Sequence, residues 1–106
     1  MKESSAIDER HLPSARWDIL RTLRVGGHLG ATENMIRDVL VAGYIGVTRH
    51  WIRDQLDYLE ARRLITIERL ETAPWRMTLT RYGYDVADYQ VPCDPGIRRP
   101  ARPPAD

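Results

Sequence analysis

The sequence predicts a mainly α-helical fold with a small β-hairpin, in the order α-α-α-β-β-α. Three observations carry this. Apolar residues recur at helical spacing in three stretches before residue 63. The period then shortens over two brief runs, 64–68 and 76–79, the first rich in β-branched residues. Threonine stands just before three of the four helical stretches, at Thr32, Thr48 and Thr80, where a side-chain hydroxyl can accept from the first free amides of a helix.

The first helix is expected over 13–25. Pro13 suits a first helical turn, Ala15, Ile19, Leu20 and Leu23 share a face with Trp17 beside them, and Gly26-Gly27 ends the element. Residues 27–31 read as a flexible connector. A second helix over 33–42 carries Met35, Ile36, Val39, Leu40 and Ala42 as its apolar stripe. Gly43 and Gly46 bracket a tight turn. The third helix, 49–62, buries Ile52, Leu56 and Leu59, while Arg49, His50, Arg53, Asp54, Asp57 and Glu60 occupy its other faces. The strands 64–68 and 76–79 enclose a turn at 69–75. A last helix over 81–90 has Tyr82, Val86 and Tyr89 available to pack.

Composition narrows the function classes. The chain has 106 residues, room for one core of modest size. Sixteen basic and fifteen acidic residues leave a net charge of +1, so bulk charge alone does not argue for nucleic acid or a membrane surface. Fifteen of the sixteen basic residues are arginine, whose planar fork suits phosphates and base edges, although a codon bias gives the same enrichment. A single cysteine, Cys93, excludes an intrachain disulfide and a cysteine-based zinc site. His11, His28 and His50 lack metal-ligand spacing, and no metal or cofactor is expected. No apolar run is long enough for a membrane span, and the first residues lack the apolar stretch of a signal peptide, so a cytoplasmic location is the default expectation. Gly26 to Gly30 lacks the Lys-Ser/Thr ending of a phosphate loop and no Ser-His-Asp pattern is readable, so an enzyme is not expected.

The ends differ from the middle. Residues 1–11 are polar and aperiodic and read as a flexible N-terminus, and 12–91 form the folding unit. Five of the seven prolines fall within 92–106, which reads as an extended, mobile Pro/Arg-rich tail whose Arg98, Arg99 and Arg102 are candidates to contact DNA or a protein.

Two helices joined by a short glycine-containing turn form a helix-turn-helix, and a hairpin directly after the second makes it winged. Residues 47–65 resemble the reading helix and following strand of ArsR-like and MarR-like regulators. Leu56-Asp57-Tyr58-Leu59-Glu60 followed by Leu64-Ile65 carries the likeness, with Arg63 where glycine is usual. Leu79-Thr80-Arg81-Tyr82-Gly83 resembles the Leu-Thr-x-x-Gly that opens the helix after the wing. The chain is also similar to small winged-helix proteins of Mu-like phages and prophages.

The resemblance implies a double-stranded DNA-binding protein, a small phage-type transcriptional regulator acting as a homodimer. In such folds the N-terminal residues of the second helix of the motif meet base edges in the major groove. Here these are Thr48, Arg49, His50 and Arg53, with Arg69 and Arg76 of the wing as backbone contacts. The first and last helices, with Tyr82, Tyr84 and Tyr89, are the expected dimer surfaces. Trp51 is expected to be partly buried against the second helix, and Trp75 to pack as a lid. The alternative is a protein-interaction module, such as a phage assembly or packaging accessory. Near-zero net charge and the carboxylates Asp54, Asp57 and Glu60 on the presumed reading helix favour it.

Overall fold

A computed structural model describes residues 8–102, which form four α-helices and a three-stranded antiparallel sheet. The expected N-terminal and C-terminal ends at 1–7 and 103–106 lie outside the described residues. The helices are α1 (Leu12–Gly26), α2 (Glu33–Val41), α3 (Arg49–Ala61) and α4 (Arg81–Ala87); the strands are β1 (Ala31–Thr32), β2 (Ile65–Glu68) and β3 (Arg76–Leu79). Single 3-10 turns precede and follow α1, at Glu9–His11 and Gly27–Leu29. No helix among the described residues is long and apolar enough to cross a membrane.

The three threonine caps form as expected. The Oγ1 atoms of Thr32, Thr48 and Thr80 accept from the amides of Met35, Trp51 and Gly83. Each starts its helix where the preceding backbone is still extended, satisfying one amide that has no partner inside the helix. The helices then bury one stripe each: Ala15, Ile19, Leu20 and Leu23 from α1, Ile36 and Leu40 from α2, Ile52, Leu56 and Leu59 from α3, and Val86 from α4. Ile65, Met77 and Leu79 close the core from the sheet. On α2 the expected stripe is corrected. Met35 and Val39 face outward, and the inward positions are Glu33, Ile36 and Leu40, spaced three and four residues apart. The last helix stops at Ala87, shorter than the expected 81–90, and its Tyr82 is exposed.

The connector at 27–31 contains a strand that the sequence reading lacks. Gly30 takes φ +68, and a Cβ there would collide with the carbonyl oxygen of Met77. This close approach lets Ala31 and Thr32 pair with Met77 and Arg76, making β1 the third strand beside the β2–β3 hairpin. Within the hairpin Ile65 opposes Leu79 and Ile67 opposes Met77.

Two turns fix the hairpin to the helices. At the end of α3 the amide of Leu64 donates to Leu59 and that of Arg63 to Glu60, closing the chain in a left-handed C-terminal turn with Arg63 at φ 65. Arg63 thereby adopts a backbone conformation that glycine reaches without a Cβ penalty. At Gly83 a side chain would strike the Leu64 carbonyl, so the glycine lets α4 lie against the backbone entering β2. Tyr44 fastens the α2–α3 turn by donating its hydroxyl to Asp18 at 2.8 Å, and burial, then that carboxylate, pushes its pKa up to about 12.

The C-terminal segment is the largest correction. Over 92–102 the chain is packed, not a free tail. Ile97 is 5% exposed and joins the core, although a lone isoleucine among prolines carries no periodicity. The Arg98 amide donates to Pro13, Arg16 of α1 donates to the Gly96 carbonyl, and Tyr58 of α3 donates to Asp94. Arg99 donates to the carbonyls of Val86, in the last turn of α4, and of Val91 beyond it, and its guanidinium lies 4.5 Å from the Tyr89 ring centroid.

Ile97→Ala is expected to destabilise the protein by about 2–4 kcal/mol in urea unfolding, the cost of a core cavity; an effect near zero contradicts the docked segment. Arg63→Gly is expected to raise stability by about 0.5–1 kcal/mol in the same measurement, because glycine meets no Cβ penalty at positive φ.

Candidate nucleic-acid interface

The exposed end of α3 is built by its cap. Thr48 spends its hydroxyl on the Trp51 amide and its carbonyl on Ile52, turning the chain so that Arg49 and His50 project from the first helical turn. Arg49 is exposed, with Nη2 3.5 Å from Oδ1 of Asn34 on α2. The His50 side chain is 90% exposed, and its Nε2 lies 3.6 Å from Asp54 one turn along the helix. Trp51 is buried, more fully than expected.

Arg53 behaves differently from Arg49. It lies one turn further along and its fork closes on Glu33: Nε donates to Oε2 at 2.8 Å and Nη2 to Oε1 at 2.6 Å. Glu33 is 2% exposed, the deepest carboxylate among the described residues. It opens α2, where a negative charge also suits the positive end of the helix. Its Oε1 further accepts from the Trp75 amide at 3.0 Å, and its own amide donates to the Trp75 carbonyl at 2.9 Å. The paired Arg53 guanidinium holds the Glu33 carboxyl below the usual carboxylate range, against the opposing effect of burial, with help from the Trp75 amide. The same carboxylate raises the Arg53 pKa.

Trp75 therefore sits in the loop at 69–75 with its backbone bonded to Glu33 and its ring between two arginines. The Arg53 guanidinium lies 4.2 Å from the ring centroid and that of Arg69 4.7 Å. Arg69 continues the array back to α3, with Nη2 donating to Asp57 at 2.7 Å and Glu60 at 3.0 Å, and Nη1 reaching Glu60 at 3.1 Å. These bonds raise the Arg69 pKa, Glu60 contributing first, and lower that of Glu60. Arg76, on β3 opposite Glu68 and Thr32, donates to the Leu29 carbonyl at 2.9 Å.

The six residues singled out in the sequence thus divide. Arg49 and His50 project together at the start of α3, and Thr48 caps it. Arg53 is committed to Glu33, Arg69 to Asp57 and Glu60, and Arg76 to a backbone carbonyl. Of the tail arginines, Arg99 is spent on carbonyls near α4, while Arg98 and Arg102 are exposed. Of the tyrosines expected on a dimer surface, Tyr82 is exposed, Tyr84 lies near the Arg24 guanidinium, and Tyr89 packs edge-on against Trp17.

Sequence reasoning missed Glu33 and Asn34. An acidic residue just after a cap is ordinary, and nothing local marks Glu33 as buried; its partner lies twenty residues away in sequence. Searches against protein-family models, characterised proteins and solved structures find no match to this chain.

Because the folded Glu33 pKa is depressed, its contribution to stability is present above the ordinary carboxylate range and fades as pH falls through and below that range. Glu33→Gln is expected to lower stability by about 1–3 kcal/mol near neutral pH, with the gap to the native protein narrowing from about pH 6 to about pH 3. Denaturant midpoints across that range check it; a constant gap contradicts the assignment.

Proposed function

We propose that this chain is a winged-helix protein that binds double-stranded DNA, a small transcriptional regulator similar to those its sequence resembles. In this reading α2 and α3 are the helix-turn-helix, the start of α3 enters the major groove, and the β2–β3 hairpin is the wing against the backbone. The observation that carries the proposal is the pairing of Arg49 and His50, both exposed at the start of a helix whose opposite face is core, with Asn34 of α2 beside them. Arginine can hold guanine O6 and N7 with two hydrogen bonds, and asparagine can hold adenine N6 and N7.

The carboxylates of α3 weigh less against DNA than the sequence suggests. Asp57 and Glu60 are paired with Arg69, so part of the acidic charge of α3 is compensated within the same surface. Arg53 belongs to the support of the site: its fork fixes Glu33 and Trp75, which sets the hairpin loop against α2 and α3.

A second reading, a protein-interaction module, draws on a different surface. Val39 and Val41 on α2 and Ile45 in the turn after it are exposed aliphatic side chains, suited to a protein partner or a second copy of the chain.

The test is fluorescence anisotropy with a pool of random-sequence duplexes, followed by selection of the bound sequences. Arg49→Ala is expected to weaken binding to the selected site by about 1–3 kcal/mol and to relax base preference at one position, with thermal stability unchanged. Absence of binding to any duplex at about 50 mM salt, where nonspecific contacts are strong, rejects the DNA reading in favour of the protein-interaction one.

A further inference from the structure

Two arginines flank Trp75, and their partners differ in kind. Arg53 is tied to a carboxylate that is 2% exposed, through two short bonds in a site closed by the Trp75 backbone. Withdrawing Arg53 leaves the buried Glu33 charge without its guanidinium, so the pair is fixed. Arg69 is tied to Asp57 and Glu60, whose side chains are 55% and 39% exposed, and is itself 41% exposed. Ion pairs this open to water are worth little and exchange readily. Arg69 directly follows β2, at the start of the loop that the DNA reading assigns to the wing. Its guanidinium rests on a ring held in place from elsewhere: Glu33 bonds both the amide and the carbonyl of Trp75. The guanidinium can therefore leave the carboxylates by side-chain rotation alone, without loss of the loop's anchor.

We propose that Arg69 is a phosphate contact held back in the free protein: Asp57 and Glu60 of α3 occupy its guanidinium and yield it to a backbone phosphate when duplex DNA docks. The inference rests on the DNA reading above and adds regulation to that same surface. A phosphate offers the fork the same acceptor geometry as a carboxylate, so one set of charge-assisted bonds replaces another. Breaking the bonds to Asp57 and Glu60 is the cost that docking must meet. That cost falls on every duplex alike and lowers the affinity for all of them by the same factor.

The experiment uses the full chain, duplexes of selected and of scrambled sequence, and a salt titration. Asp57→Asn with Glu60→Gln is expected to tighten binding to scrambled duplex by about three- to tenfold at about 100 mM salt, with a comparable gain on the selected site. Adding Arg69→Ala to that pair is expected to cancel the gain and to lower the dependence of log K on log salt by about one. Thermal melting of each variant checks the fold, which Arg53 and Glu33 hold independently of Arg69. A gain that persists without Arg69 is general charge repulsion, and overturns the proposal while the DNA reading stands. No gain at all overturns it likewise. Binding by neither the native chain nor the double variant at about 50 mM salt removes the DNA reading and this proposal together.

Discussion

The buried Glu33 carboxylate determines how the exposed half of the molecule is arranged. A charge at that depth needs full pairing, and three donors supply it: two from the Arg53 guanidinium and one from the Trp75 amide. Each donor belongs to a different part of the chain from Glu33 itself. Satisfying one carboxylate therefore sets α3 against α2 and brings the 69–75 loop onto both. Trp75, fixed at its backbone, presents its ring to the Arg53 and Arg69 guanidinium groups, and Arg69 carries the chain of contacts back to α3. Arg53, one turn after Arg49, shares that helical face, and its side chain reaches across to Glu33.

A second polar knot serves the other side of the core. Arg16 of α1 donates to the side-chain oxygen of the buried Gln55 on α3, lies 3.7 Å from the Tyr58 ring centroid, and bonds the Gly96 carbonyl. Asp94 accepts from Tyr58 and from the Gly96 amide and faces Arg62, which holds the turn that delivers Ile97 to the core. Burial opposes ionisation of Asp94, but these hydrogen bonds and neighbouring arginines together hold its pKa below the usual carboxylate range. The arginine enrichment of the sequence thus has a structural use. Arg16, Arg53, Arg62, Arg69 and Arg99 each bind oxygen within the fold and lie against an aromatic ring, a combination that suits a flat, multi-donor guanidinium better than an ammonium.

What was legible in the sequence is what local rules determine. Thr32, Thr48 and Thr80 announce their helices because a cap acts over three residues, and the stripes of α1 and α3 show because several apolar positions repeat. The hairpin shows through β-branched residues and a change of period. What was not legible depends on distant partners. A two-residue strand such as β1 has no period, and exists because Gly30 lets it approach Met77. Ile97 has no apolar neighbours in sequence, and its burial comes from Pro13, Arg16 and Tyr58. The candidate site shares this division. Arg49 and His50 follow from their place after a cap, whereas the commitment of Arg53 and Arg69 follows from carboxylates on other turns or another helix. The positive φ of Arg63 likewise carries no local signal, since glycine is the residue that most often marks such a turn.

The hydrogen bond from the Arg98 amide to the Pro13 carbonyl joins the start of α1 to a residue most of the chain away. A contact of such sequence separation closes a large loop, so its entropy is recovered only after the intervening helices and hairpin are in place. It is accordingly among the last contacts to form, and the segment that makes it is the natural place for the native state to open first. A molecule built this way has an outer seam whose amides exchange with solvent sooner than those of α3. Such opening bares Ile97 and the face of α1 beneath it while the Glu33–Arg53 pair stays closed.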